Sequence, residues 1–147
     1  MTSGVRTGAV LPFVDTNVLL YLLSADAAKA DRAEALLARG VMVGVQVLDE
    51  FASVARRKLA MQWDEVADVL GLIRERCMVR PLTVAVHDQA LLIAPRYGLS
   101  WYDALIVAAA LDGGCAQLYS EDMHDGLEID SATTGSSVVI RNPFAAS

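Results

Sequence analysis

Four carboxylates in this chain fall at places where an apolar segment has just ended or a helix has just begun. Asp15 closes "VLPFVD", Glu50 sits in "QVLDEF", Asp103 in "SWYDALI" and Asp122 in "LYSEDMHDG". Around the last of these, Glu121 and Asp125 add further negative charge. Like charges crowded at the mouth of a buried strand need either open water or a cation. The rest of the inventory limits which cation. His87 and His124 are the only histidines, and Cys77 and Cys115 lack the paired spacing of a zinc site or a disulfide framework. A metal here must be held by oxygen, which favours magnesium or manganese over zinc.

Whether the acids meet depends on the elements that carry them. Apolar patterning predicts strands over residues 10–14, 41–45, 79–82, 115–119 and 138–141, with 127–129 strand-like. Helices are expected over 17–23, 26–39, 46–59, 63–76, 84–93 and 100–111. On 46–59 the apolar stripe is Leu48, Phe51, Ala52, Ala55 and Leu59. Pro95 has no amide donor and should kink or end the helix it follows. Strands alternating with helices and helix pairs are the signature of an α/β fold, a mostly parallel central sheet with helices on both faces. In such sheets ligands bind beyond the carboxyl ends of the strands. Asp15 ends the first strand, Asp122 follows the fourth, and Glu50 and Asp103 start helices near the same edge.

Each acid also has an ordinary structural reading. Asp15 can cap the helix that follows it, and Asp103 stands three residues after Ser100, as in a capping box. Glu50 can be merely solvated, and Asp122 an ordinary turn residue. Four such residues at one predicted edge favour a cluster over coincidence.

Bulk properties set the frame. The 147 residues are 54% hydrophobic with a mean hydropathy of +0.40, enough for one sizeable core. The expected organisation is a single domain over 10–144, with a short extension at 1–9 and a tail at 145–147. The longest apolar run, 104–111, falls far short of the roughly 20 residues that span a bilayer, so no membrane association is expected. No charged-then-apolar leader opens the chain, and the expected location is cytoplasmic. The net charge of −6 argues against a passive nucleic-acid binder. It does not argue against an enzyme that recruits divalent cations, because a residue count omits the metal.

The stretches "FVDTNVLLYL", "QVLDEFASVARRKL", "YGLSWYDALIVAAAL" and "LYSEDMHDG" resemble, in order, the successive motifs of PIN-domain ribonucleases. The match is nearest to the VapC-type toxins of bacterial toxin–antitoxin pairs, and "VVIRNPF" resembles their C-terminal end. The resemblance covers nearly the whole chain and implies a PIN-like three-layer sandwich. It places the family's acidic quartet on Asp15, Glu50, Asp103 and Asp122, as metal ligands and catalytic groups. Asn17 and Ser120 match polar residues near the metal, with Asp125 and Glu121 as outer groups. Pro95 departs from the family pattern, where a helix usually continues toward the "YGLS" turn.

What the resemblance implies is an endoribonuclease dependent on Mg2+, with Mn2+ as a substitute, cleaving RNA to leave a 5′-phosphate and a 3′-hydroxyl. It also implies a cognate antitoxin, and a homodimer is expected. Arg56, Arg57 and Lys58 could contact RNA phosphates, or be cations placed favourably near a helix C-terminus. Trp63 and Trp101 read as helix-packing residues, the cysteines as core, and the histidines as surface. Two other magnesium folds fit less well. A haloacid-dehalogenase-like phosphatase needs a second Asp where Asn17 stands, and a receiver domain needs a late lysine, whereas none follows Lys58. The rival from another class is a catalytically silent PIN-like module that only binds a protein partner. Its expected mark would be a broken quartet, and all four acids are present.

Overall fold

The computed structural model describes residues 11–145. The expected extension at 1–9, the strand start at Val10 and the end of the C-terminal tail lie outside the described residues. Phe13–Val14 forms β1, and Asp15 at once caps α1, Thr16–Leu20, which tightens into a 3-10 turn over Tyr21–Leu23. Then follow α2 (Ala27–Ala38), β2 (Val41–Gly44), α3 (Val45–Arg57), α4 (Trp63–Arg74) and β3 (Cys77–Arg80). The second half holds α5 (Val84–Tyr97), α6 (Trp101–Asp112), β4 (Gln117–Tyr119), β5 (Glu128–Asp130) and β6 (Ser137–Arg141).

The six strands make one sheet in the order β3-β2-β1-β4-β6-β5. Every pairing is parallel except β5 with β6. This is the mixed α/β, mostly parallel architecture expected from the sequence. Parallel strands joined by right-handed crossovers dictate where the helices go. The path β1 to β2 to β3 moves one way across the sheet, so α1 to α4 share a face. The path β3 to β4 moves back the other way, which puts α5 and α6 on the opposite face. The chain therefore leaves β1 and β4 in opposite directions, and the gap between their carboxyl ends is the sheet's topological switch point.

The core explains why this edge is well defined. Phe13, Val43, Leu118, Val138 and Ile140 are fully buried along the central strands. α6 is buried almost all round, from Ala104 to Leu111, because it packs on α5 and crosses β2, β4 and β6. Its small residues let α5 approach closely, and Ser100 caps its first turn. On α3 burial is confined to a stripe: Val47, Phe51 and Ala55 are buried, with Leu48 and Ala52 partly so.

Three expectations need correction. α5 runs through Pro95 to Tyr97 and ends on Gly98, whose left-handed backbone (φ 67°) suits a residue without a side chain. The proline forfeits only the bond to the Leu91 carbonyl, and Leu91 lies on the exposed side, where water can take that carbonyl. Leu59 is not part of the α3 stripe, because the helix ends at Arg57 and leaves Leu59 exposed. Trp63 is not packed between helices either. It opens α4 at 65% exposure, with the Arg56 guanidinium 5.0 Å from its ring centre. By contrast Trp101 packs against the core and makes an edge-on contact with His87.

Candidate functional site

Asp15 sits at the switch point. Its backbone N–H donates to the Tyr119 carbonyl at 2.9 Å, which continues the β1–β4 pairing and fixes the residue against the end of β4. Its carboxylate does two jobs. Oδ1 accepts from the Thr16 backbone N–H (2.7 Å), and Oδ2 accepts from the Ser120 hydroxyl (2.8 Å). The expected capping role is present, and the same side chain also reaches across to Ser120 after β4. Asp15 is only 6% exposed. Burial pushes its carboxyl from 3.8 up to about 6, the bonds from Ser120 and Thr16 pull the other way, and repulsion from Asp103 and Glu50 adds to the rise.

Ser120 and Asn17 tie Asp15 to Asp122. The fully buried Ser120 hydroxyl donates to Asp15 and accepts from the backbone N–H groups of Asp122 and Met123 (both 3.3 Å). The Asn17 amide donates to Asp122 Oδ2 at 3.0 Å and more weakly to Asp15 Oδ2 at 3.3 Å. Its carbonyl accepts from the Glu121 backbone N–H (3.2 Å). One amide therefore bridges β1, α1 and the loop after β4.

Asp103 and Glu50 arrive on helices. Asp103 lies in the first turn of α6, where its backbone N–H donates to the Ser100 hydroxyl (3.3 Å). Burial raises its pKa, the Ser100 hydroxyl opposes the rise, and repulsion from Asp122 supports it. Glu50 lies one turn along α3 from Gln46. The Gln46 amide donates to Glu50 Oε1 (3.2 Å) and to the Tyr102 carbonyl (3.4 Å), so it spans the starts of α3 and α6. The sequence reading missed Gln46, although its i, i+4 spacing from Glu50 was visible.

The other candidates go elsewhere. Glu121 turns away from Asp122 and accepts from Tyr21 Oη and from Lys29 Nζ (2.6 Å). The Lys29 bond, seconded by Tyr21, holds its carboxyl below the usual range. Asp125 Oδ1 accepts from the Asn142 backbone N–H (2.9 Å) and anchors the C-terminal segment. Arg56 donates to the Met61 carbonyl (2.9 Å), and Arg57 to Ser53 Oγ (3.0 Å). With Lys58 they occupy the far end of α3, about 10 Å of helix beyond Glu50 at 1.5 Å per residue.

The donor set fits a hard divalent cation. It is all oxygen, and the two ion pairs among the described residues, Lys29–Glu121 and Arg80–Asp112, involve none of the four acids. Asp15 in particular is a buried carboxylate with no cationic partner among the described residues, and a cation is what would relieve it. Among the described residues no group of three His, Cys, Asp or Glu closes into a formed metal cage. The acids are electrostatic neighbours that need a further approach to share one ion.

Comparison with known proteins gives the family. A model of the PIN domain matches residues 13–124. No characterised protein matches by sequence. Among solved structures, a toxin–antitoxin complex from Klebsiella pneumoniae superposes with a TM-score of 0.67 at 15% identity, over 92% of this chain and 99% of that one. FitAcB from Neisseria gonorrhoeae gives 0.61 at 18% identity, over 92% and 100%. VapC20 of Mycobacterium tuberculosis, a sarcin-ricin loop cleaving toxin, gives 0.60 at 23% identity, over 72% and 85%. At these identities the likeness is one of fold.

Proposed function

The chain belongs to the PIN-domain family, and from that premise we propose that it is a metal-dependent endoribonuclease, the toxin of a toxin–antitoxin pair, acting in the cytoplasm. The observation that carries the reading is Asp15. It is a buried carboxylate at the switch point, repelled by Asp103 and Glu50, linked to Asp122 through Asn17, and paired with no Lys or Arg among the described residues.

In this reading Asp15, Asp103 and Asp122 hold a magnesium or manganese ion. Glu50 either joins them or orients the attacking water. A divalent ion there supplies Lewis acidity, a more acidic water and an offset for charge on the leaving oxygen. The protein's own groups set the geometry. Ser120 and Asn17 keep Asp15 and Asp122 facing one point, and Gln46 aims Glu50 at the start of α6. Asp122 is exposed, so an RNA phosphate can reach the site from solvent. The test is cleavage of cellular RNA by the purified chain. EDTA should abolish it, and added Mg2+ or Mn2+ should restore it. Cleavage indifferent to both would sink the reading and leave the silent binding module as its successor.

The partner part rests on a groove. Leu22 and Leu23 of the 3-10 turn, Leu37 of α2, and Val69 and Leu72 of α4 line a trough bordered by Glu34, Glu75 and Arg76. Its apolar floor and charged rim suit an amphipathic helix of an antitoxin. Toxin–antitoxin complexes among the similar folds support this. Val84, Leu91 and Leu92, exposed on α5, offer a separate face for a second copy of the chain. No helix among the described residues is long and apolar enough to cross a membrane.

A further inference from the structure

Glu121 is the residue next to Asp122, and its side chain is the most firmly tied group in the loop after β4. Tyr21 Oη donates to one carboxylate oxygen, and Lys29 Nζ donates to the other at 2.6 Å. Lys29 also donates to Tyr21 Oη at 3.0 Å, which closes a three-membered ring of hydrogen bonds. The ammonium lies 4.6 Å from the Tyr21 ring centre and 5.5 Å from that of Phe144. Phe144 meets Tyr21 edge-on at 4.7 Å. Arg32, on the same helix as Lys29, donates to the Pro143 carbonyl at 3.0 Å. α2, the 3-10 turn, the loop after β4 and the C-terminal segment therefore share one fastening.

Asp122 is held more lightly, by Asn17 at its carboxylate and by Ser120 at its backbone N–H. Its carboxylate is exposed and takes one bond, from Asn17. Beyond the Asn17 and Ser120 bonds, its direction depends on where the chain holds Glu121 on one side and the buried Met123 on the other. We infer that Lys29 and Tyr21 are positioning residues that aim Asp122 at the metal by holding Glu121. The inference rests on the proposed reading of the four acids as the metal site. Lys29 also keeps Glu121 from presenting a fifth carboxylate to the cluster. These two effects have opposite signs on metal affinity, which makes the inference testable. Loss of a nearby cation alone should tighten binding of Mn2+, whereas loss of an anchor should weaken it.

The experiment measures manganese binding by electron paramagnetic resonance, without RNA, on the full chain and its variants. Thermal unfolding establishes that each is folded. Lys29→Met and Tyr21→Phe should each weaken binding, by roughly ten-fold for Lys29→Met, as for other groups that orient metal ligands. Lys29→Arg should stay near wild type. Arg80→Met, which breaks the equally short Arg80–Asp112 pair (2.6 Å), should leave binding unchanged. Tighter binding in Lys29→Met, no change in either latch variant, or an equal loss in Arg80→Met would each overturn the inference. Asp122→Asn separates the two levels. If it abolishes binding while the latch variants match wild type, the latch alone falls. If it leaves binding untouched, the reading of the site itself falls.

Discussion

Asp15 and Asp122 share two side-chain partners, Ser120 and Asn17, whereas Glu50 and Asp103 meet only through Gln46 and the Tyr102 carbonyl. The first pair stands where two parallel strands end side by side, so a buried hydroxyl can serve both residues at once. The second pair stands half-buried on two helices, where one long amide, that of Gln46, reaches across. The bonds from Ser120 to Asp15 and from the Met123 backbone N–H to Ser120 are buried and cannot adjust without breaking. A half held by helix packing and one long amide can move by a rotamer. The site is therefore pre-formed around Asp15 and adaptable around Glu50, which agrees with four acids that are neighbours without forming a cage.

The heaviest blow to the rigid half is Asp15→Asn. It keeps the cap and the shape but removes the buried anion, and RNA cleavage should fall by ~100-fold or more. Retained cleavage would mean that the rigid half is scaffolding. The same variant reports on the cost of burying this carboxylate, to which repulsion from Asp103 and Glu50 adds. The folded carboxyl titrates near 6 against 3.8 when unperturbed, so the folded chain binds a proton more tightly than the unfolded one. Stability from this group is present below pH ~4 and lost as pH rises through about 6, an amount of about 3 kcal/mol in the metal-free chain. Urea unfolding in EDTA at acid and neutral pH should show that slope in the wild type relative to Asp15→Asn. Equal slopes would show that Asp15 is not under strain.

Ser120→Ala comes next. It strands two backbone donors and leaves Asp15 Oδ2 with only the long Asn17 bond, so it should cost about 1–3 kcal/mol in urea unfolding and about ten-fold in cleavage. In the adaptable half, Gln46→Ala should cost less than ~0.5 kcal/mol, because its bonds are long and partly solvated, and lower cleavage about three-fold. A Gln46 effect equal to that of Ser120 would erase the distinction between the halves. The smallest change is expected from Arg57→Ala with Lys58→Ala. At the far end of α3 the pair should leave RNA binding within about two-fold, with little change in its salt dependence. A clear drop in the salt slope would instead extend the RNA path along α3.

The pattern of legibility follows the range of the interactions involved. Strand–helix alternation is local and survives in single residues: Gly40 as a helix stop, Ser100 as the start of a helix, the apolar 104–111 run as part of that helix. Pro95 misled because its effect depends on which carbonyl it robs. That carbonyl lies on a solvent-facing side, a fact of tertiary packing. Trp63 misled because a tryptophan at a helix start is equally at home packed or exposed until its neighbours are known. Lys29 and Glu121, ninety-two positions apart, carry no mutual signal in the sequence.

The sequence by itself determined that acids would stand at the carboxyl edge of a mostly parallel sheet. A residue's place at the end of a strand or the start of a helix is written in its immediate neighbours. It also determined that any metal would be held by oxygen, since the soft ligands are too few. Only the tertiary structure decided that Glu121 and Asp125 would turn to Lys29 and to the Asn142 backbone N–H, while Asp122 takes the Asn17 amide. Only it decided that Asn17 and Ser120 would bridge the rigid half while Gln46 alone spans the other. Hydrogen bonds form at about 3 Å, so their partners are chosen by how distant segments pack.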